Sequence, residues 1–372
     1  MERFDVAVVG GGIVGAAVAF HATRLGARVV VFDKAPAVNA TERSSGIVRV
    51  HQPDMGLAAL SYMGWLEYRH WSEVVERPST FRPVGCVHDV STAPEGAAAD
   101  VEGLGSLGWA CRMLTTADLR RRMPQVRWDD GIVAVHELHA GYCDATACRD
   151  QYLANVAEVR RGVTVKEIAV DGGAVQGVIT EEGGVAAGAV VLATGAWGAE
   201  ELLDGPSLPI RTRRIVWQAV SGDFQALPCY VREGADRLYF RPNPRRGMRF
   251  GVGCDDWDVD PETAGDGVSA ELLSRGRKRI ARVIGNTPIQ RTVIAAADGY
   301  TPDERPIIDQ WPEAAGLFVA LGFSGGGFKT APAVGSLLAQ WAVNGRVDPL
   351  LVPFSLDRLL TPAAGPAVRL EA

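Results

Sequence analysis

Glycines at 10, 11, 12 and 15, followed by an aspartate at 33, have a spacing suited to holding a diphosphate that joins two nucleotide halves. Gly10 permits a tight turn, and Gly12 lets backbone N–H groups approach the pyrophosphate with no Cβ in the way. Gly15 lets a helix pack closely on the preceding strand, so that the pyrophosphate rests at the positive end of that helix beside Ile13 and Val14. Asp33 is placed to accept hydrogen bonds from a ribose hydroxyl, which favours an unphosphorylated ribose, as in FAD or NAD, over NADP. Lys34 beside it works against that preference. A second concentration of chemistry lies far downstream in Gly322-Phe-Ser-Gly-Gly-Gly-Phe-Lys329, where a glycine loop and a lysine precede an apolar segment of helical character.

The elements that must position these residues are legible around them. Asp5–Val9 is a β-branched run of the kind a buried parallel strand needs, Ile13–Leu25 is small and apolar at helical spacing, and Gly26 closes that helix. Ala27–Phe32 is a second strand with Asp33 at its C-terminal end. The run Gly103-Leu-Gly-Ser-Leu-Gly108 has the same glycine spacing but no apolar strand before it, and is read as a glycine loop. Asp144 is expected to cap a helix through Val159. Val163–Val170, Ala174–Thr180 and Val185–Ala193 then form a meander, joined by glycine turns and ending at Thr194-Gly195. Ile215–Val220, Arg237–Phe240 and Met248–Gly253 are strand-like, Ser269–Val283 is helical, and Leu317–Leu321 is a buried strand leading into the glycine loop and a helix to about residue 343.

The composition excludes several classes. With 38 Lys+Arg against 44 Asp+Glu, a net charge of −6 and no dense basic block, no nucleic-acid or anionic-membrane partner is expected. The six cysteines show neither C-x-x-C pairs nor finger spacing, so disulfides and zinc are not expected. His136 and His139 lack metal-site spacing, and His51 is the histidine nearest the motifs. No apolar run is long enough to cross a bilayer, and the expectation is a cytoplasmic monomer or homodimer.

Taken together, Gly10–Gly15, Ser44-Ser-Gly-Ile-Val-Arg49, Ala193-Thr-Gly-Ala-Trp197, Thr301–Asp309 and Gly322–Lys329 resemble the D-amino-acid oxidase superfamily of flavoproteins. The resemblance is nearest to the monomeric sarcosine oxidase and glycine oxidase branch and covers nearly the whole chain. It implies an α/β fold: a Rossmann-like FAD-binding domain with a β-meander (1–75, 145–209 and 296–372), interwoven with a mainly antiparallel substrate domain (76–144 and 210–295). It implies FAD held by Gly10, Gly12, Ile13, Val14, Gly15, Asp33, Lys34, Ser44, Ser45, Gly46, Arg49, Val165, Thr194, Gly195, Trp197, Gly322, Ser324, Gly325, Gly326, Gly327, Phe328 and Lys329. Arg49, Tyr239, Arg249 and Lys329 are the implied catalytic or substrate-side residues, and no metal is implied. The implied reaction is oxidation of a C–H bond next to an amine nitrogen of an amine or amino acid, with an imine product and O2 as acceptor. The alternative is a dehydrogenase of an amino acid or 2-hydroxy acid using another acceptor.

Departures from the family pattern sharpen the expectation. Ala296 stands where covalent members carry a flavin-linking cysteine, so the FAD is expected to be non-covalent. Arg249 replaces an oxygen-activating lysine, while Gln52 and Gly253 replace an arginine and a histidine that hold a small substrate. The carboxylate anchor falls to Lys329, helped by Arg241 or Arg249. The missing side chain at Gly253 implies a substrate bulkier than sarcosine. Trp197 is expected to pack beneath the flavin-domain strand, and Arg211, Arg213 and Arg214 to make interdomain salt bridges.

Overall fold

The computed structural model describes residues 2–205, 207–233, 237–244, 247–285 and 289–360; residues 361–372 of the expected first domain lie outside this set. Among the described residues there are two eight-stranded sheets and a two-stranded ribbon. The first sheet runs Ile307–Gln310, Leu317–Leu321, Gly183–Leu192, Arg3–Val9, Val29–Asp33, Glu158–Arg161. All neighbours are parallel except the first pair. Val6 to Val9 are buried on both faces, which is why that strand is a continuous apolar run instead of an alternating one. Gly183–Leu192 serves two sheets' worth of partners: its first half pairs antiparallel with Ala174–Thr180, completing the meander, and its second half lies parallel to Arg3–Val9.

Two helices cover one face of this sheet and a third packs on them. Ile13–Arg24 packs on Gly327–Asn344 so closely that a Cβ at Gly335 would sit 2.6 Å from that of Ala17. Met55–Arg69 packs on the same helix, where a Cβ at Gly64 would lie 2.2 Å from the Lys329 carbonyl. Pro332 lies inside Gly327–Asn344 and has no N–H to give the Phe328 carbonyl; the buried Tyr68 hydroxyl donates to that carbonyl instead, at 2.7 Å. The glycine loop is thus pinned from behind.

The second sheet runs Ile289–Tyr300, Arg211–Val220, Met248–Val252, Leu238–Pro242, Cys229–Arg232, Cys86–Asp89, Val133–Glu137, Cys111–Thr115. It is antiparallel except where Cys229–Arg232 meets Cys86–Asp89. One face carries its own core, including Phe240, Met248 and Phe250, and the other faces the first sheet. Ile47–Val48 pairs with Gly141–Tyr142 between them. No described helix is long and apolar enough to cross a membrane.

Two expected elements differ. Asp144 does cap a helix, its side chain accepting from the Ala147 N–H, but the helix ends at Leu153. Glu158–Arg161 is a strand instead, recruited by parallel pairing with Val29–Asp33, a tertiary contact that outweighs local helical preference. Gly103 and Gly105 lie within the helix Pro94–Ser106, not a loop. Proline at its first turn and the inward stripe Ala97, Val101, Leu104 sustain it despite the glycines.

Candidate active site

A cavity of about 840 Å³ runs between the two sheets. At one end its wall is backbone. Gly10 has φ +105°, and a Cβ there would lie 2.4 Å from the Ala193 carbonyl; a Cβ at Gly15 would lie 2.0 Å from the Gly10 carbonyl. These two glycines sit behind the wall and let Gly12, Ile13 and Val14 form it. The helix Ile13–Arg24 has no side-chain hydrogen bond from its N-cap, Gly12, so its first N–H groups open to the cavity, apart from Ile13, which donates to Thr41 Oγ1 at 3.0 Å. Ser44 and Ser45 continue the wall. Gly46 does not reach it; a Cβ there would strike the Cys143 carbonyl, so glycine lets the Ile47–Val48 ribbon close.

Asp33 stands at the strand end beside Gly11, with Oδ1 accepting from the Ala35 N–H at 2.8 Å. A side chain at Gly11 would displace its carboxylate. Lys34 is occupied: it pairs with Glu262 and stacks 4.4 Å over the Trp197 ring, whose Nε1 donates to Glu262 at 2.8 Å. Trp197 therefore lies at the surface under a segment from the second sheet, not beneath the strand, because its indole N–H and ring both find charged partners there.

At the other end the wall is side chains. The helix Gly327–Asn344 likewise lacks a side-chain N-cap, and its start, Gly325 to Lys329, opens on the cavity. The loop is shaped by the enclosed Asp298, which accepts from the Gly325 N–H at 3.0 Å, and by Ser324 and Gly325 in left-handed conformations. Gly322 (φ +65°) forms the turn, where a Cβ would lie 2.6 Å from Thr301. Lys329 is partly buried, lines the cavity, and has no hydrogen bond or ion pair with any described residue, its nearest attractive charges being Glu233, Asp298 and Glu137. Burial, with Arg49 nearby, pushes its ammonium down to about 7.

Arg49 is buried, donates to the His51 carbonyl, and lies 3.5 Å from Glu233, which also pairs with Arg237 at 3.2 Å. The backbone carrying it is held by Glu137, which accepts from Val50, His51 and Trp109 Nε1 at 2.7, 2.9 and 3.0 Å. Tyr239 lines the cavity with Trp217, ring centroids 4.3 Å apart, and its hydroxyl donates to the Val216 carbonyl at 3.3 Å. Its ring lies over Gly251, where a Cβ would come within 2.2 Å. Gln52, His88, Arg237 and Gly253 complete this end.

Several expected site residues lie off the wall. Arg249 and Arg241 face each other across neighbouring strands. Arg241 is buried, donates to the Ser45 carbonyl and lies 4.4 Å over the Tyr142 ring, so it braces the Ser44–Ser45 segment. Val165 packs in the meander core opposite Thr180, and Thr194 donates to the Gly198 carbonyl while Gly195 lines the cavity. Ala296 is fully buried opposite Ile215 and offers no atom for a covalent link. Arg211, Arg213 and Arg214 pair with Asp258, Asp255 and Asp256 of their own domain, correcting the interdomain assignment. The sequence reading passed over Glu137, His88, Glu233, Arg237 and Asp298. None sits in a motif, and only sheet register gathers them. Among the described residues no His/Cys/Asp/Glu group could hold a metal.

Two uncapped helix N-termini thus open on one elongated cavity, one behind a glycine cradle and the other beside two cations. That donor set fits a dinucleotide with its diphosphate at Gly12 and an electron-rich ring near Lys329. Comparison with known proteins gives the same class of cofactor. The sequence profile described as FAD dependent oxidoreductase (DAO) matches residues 5–341. Monomeric sarcosine oxidase of Streptomyces avermitilis is 29% identical across 98% of this chain and 99% of its own. The bifunctional protein ThiO/ThiG of Synechocystis sp. is 28% identical across 98% of this chain and 55% of its own, so the chain spans about half the length of that relative. Among solved structures, L-proline dehydrogenase from P. horikoshii shares the fold, with a TM-score of 0.84 at 23% identity over 96% of this chain and 98% of that one.

Proposed function

Since the chain belongs to the FAD dependent oxidoreductase family, matched over residues 5–341, we propose that it oxidises the C–H bond beside the nitrogen of a carboxylate-bearing, N-substituted amine. The observation that carries the carboxylate is Lys329, a largely desolvated ammonium on the cavity wall that no described protein group pairs, with Arg49 close enough to depress its pKa. A largely desolvated cation with no direct ion pair is costly, and an anionic substrate group relieves that cost.

FAD, when bound, accepts the hydride. The protein's own residues do the rest. Gly12, Ile13, Val14, Ser44 and Ser45 bind the diphosphate half, and the N-terminus of Gly327–Asn344 directs its dipole at the ring. Arg49 and Lys329 take the carboxylate, Tyr239 and Trp217 form an aromatic wall that fixes the carbon skeleton, and the open space at Gly253 admits a larger side chain. Oxygen is the acceptor in this reading. Delivery to another carrier is a second reading, supported by Arg249, which takes the place of the family's oxygen-activating lysine and is not among the residues lining the cavity.

The test begins with the visible spectrum of the purified protein before and after acid precipitation. Sarcosine, L-proline and N-methyl-L-phenylalanine are then added without air, and air is readmitted. Yellow colour released to the supernatant and bleached by one of these amines supports the proposal, and fast recovery in air makes it an oxidase. Slow recovery moves it to the second reading. Flavin that none of the three reduces overturns the amine assignment.

A further inference from the structure

Behind the substrate-end wall lies a line of titratable groups that the proposed chemistry has not used. His88 is on the strand Cys86–Asp89, opposite Val231 and Val135 in register, with its ring toward the cavity. Its Nδ1 lies 2.9 Å from Nδ1 of the fully buried His51. His51 Nε2 lies 3.4 Å from Oδ2 of Asp100, on the helix Pro94–Ser106, whose side chain is 23% exposed. Two imidazoles and a carboxylate thus connect the cavity to the surface.

His51 Nε2 faces the Asp100 carboxylate, and with the proton on that nitrogen Nδ1 of His51 accepts from Nδ1–H of His88, one of the two directions the 2.9 Å contact allows. In that arrangement His88 Nε2 is a bare lone pair with no hydrogen bond to a described residue. At 3.4 Å the His51–Asp100 contact is long and His51 Nε2 makes no hydrogen bond as it stands, so the path requires the partly exposed Asp100 side chain to rotate toward the ring. Glu137 fixes the His51 backbone, which keeps the ring in line.

We propose that His88, His51 and Asp100 form a proton-exit path that takes the proton of a substrate ammonium and delivers it to solvent. This inference rests on the amine-oxidising reading. Amines with carboxylates arrive mostly as ammonium ions, and the nitrogen lone pair must be free before the adjacent C–H bond can give up its hydride. The N–H bond of the ammonium breaks and its proton bonds to His88 Nε2. The Nδ1 proton of His88 passes to His51 Nδ1, the Nε2 proton of His51 passes to Asp100, and Asp100 releases it to water; no electrons move along this line. Charge stays off the histidines between transfers. Burial, with Arg49 alongside, lowers His51 to about 4 and His88 well below its usual value, and Lys329 also opposes a proton on His88.

The test uses the flavin-loaded protein, comparing wild type with Asp100→Asn and His88→Gln in anaerobic rapid mixing across pH, with the fastest of the three amines named above. Reduction slowed about tenfold or more near neutral pH, converging on wild type where the amine enters uncharged, is the expected result. A slowing that is the same at every pH reveals a merely structural role, and no slowing leaves no role at all; either overturns the path. Should His88→Gln fail to fold, Asp100→Asn at the partly exposed end decides. Wild-type protein that holds flavin but is reduced by none of the amines overturns the amine reading and this path with it. Wild-type reduction with unchanged variants overturns the path alone.

Discussion

At the Gly12 end the cavity wall is backbone and small side chains from residues 12–45, while at the Tyr239 end it is side chains drawn from Cys86–Asp89, Arg211–Val220, Cys229–Arg232, Leu238–Pro242 and the start of Gly327–Asn344. Behind the first end there is no room for an added atom, since a Cβ at Gly10 or Gly15 meets a carbonyl at 2.4 or 2.0 Å. The second is open at Gly253, where a Cβ would meet only Arg237, at 3.4 Å. The contrast separates two functions. In the proposed reading a cofactor that never changes is gripped by backbone, whereas the substrate pocket is built of exchangeable side chains on a rigid sheet.

The sharpest way to break that contrast is Gly15→Val. With no room beside the Gly10 carbonyl, the helix must move off the strand, and the expected outcome is protein with no flavin absorbance and a collapsed melting transition. Lys329→Met should do the reverse, keeping the flavin while weakening carboxylate ligands about a hundredfold. In the wild type that affinity should fall as pH rises through about 7. Below that value Lys329 is charged and can pair with a carboxylate; above it the proton is lost. Acetate titrations followed by flavin absorbance check both. Unchanged acetate affinity in Lys329→Met would place the lysine with the cofactor instead of the substrate.

Gly251→Ala tests the aromatic wall. The new methyl group would overlap the Tyr239 ring, so the ring must swing, raising KM about tenfold and costing about 1–3 kcal/mol of stability, with flavin retained. Tyr239→Phe loses only the hydrogen bond to Val216 and should cost about 1 kcal/mol, read from denaturant midpoints.

The same contrast explains what could be read in the sequence. Glycines that admit a diphosphate must be close together in the chain, so Gly10 to Gly15, Asp33 and the Gly325–Lys329 loop were visible as local patterns. So were the meander and the buried strand Leu317–Leu321, whose apolar runs match their burial. Glu158–Arg161 was not, because its charged residues carry no strand signal without Val29–Asp33 beside them. The substrate end was least legible. His88 meets Val231 only through strand register, and Glu137 reaches Arg49's segment from a different strand. Arg249 shows the limit of counting along a motif: its strand puts it on the same face as Gly251 and Tyr239, but it pairs with Arg241 and stands beyond the residues that line the cavity.

The smallest expected effect concerns where the two ends touch. Glu262 belongs to the segment that follows the strand Met248–Val252, yet it binds Lys34 and Trp197, which flank the dinucleotide end. It is a strap from the side-chain half of the molecule onto the backbone half. The pair is substantially exposed, with about half of the Glu262 side chain in solvent, so water and salt screen it. Glu262→Gln keeps the shape and removes the charge, and flavin should bind only about two- to threefold more weakly than in wild type, an effect that shrinks further in high salt. Equilibrium dialysis against apoprotein would measure it. A loss approaching that of Gly15→Val would invert the comparison: the adenosine end would then be held by a side-chain strap supplied from the substrate sheet, and the glycine cradle would only shape the space into which the cofactor is clamped.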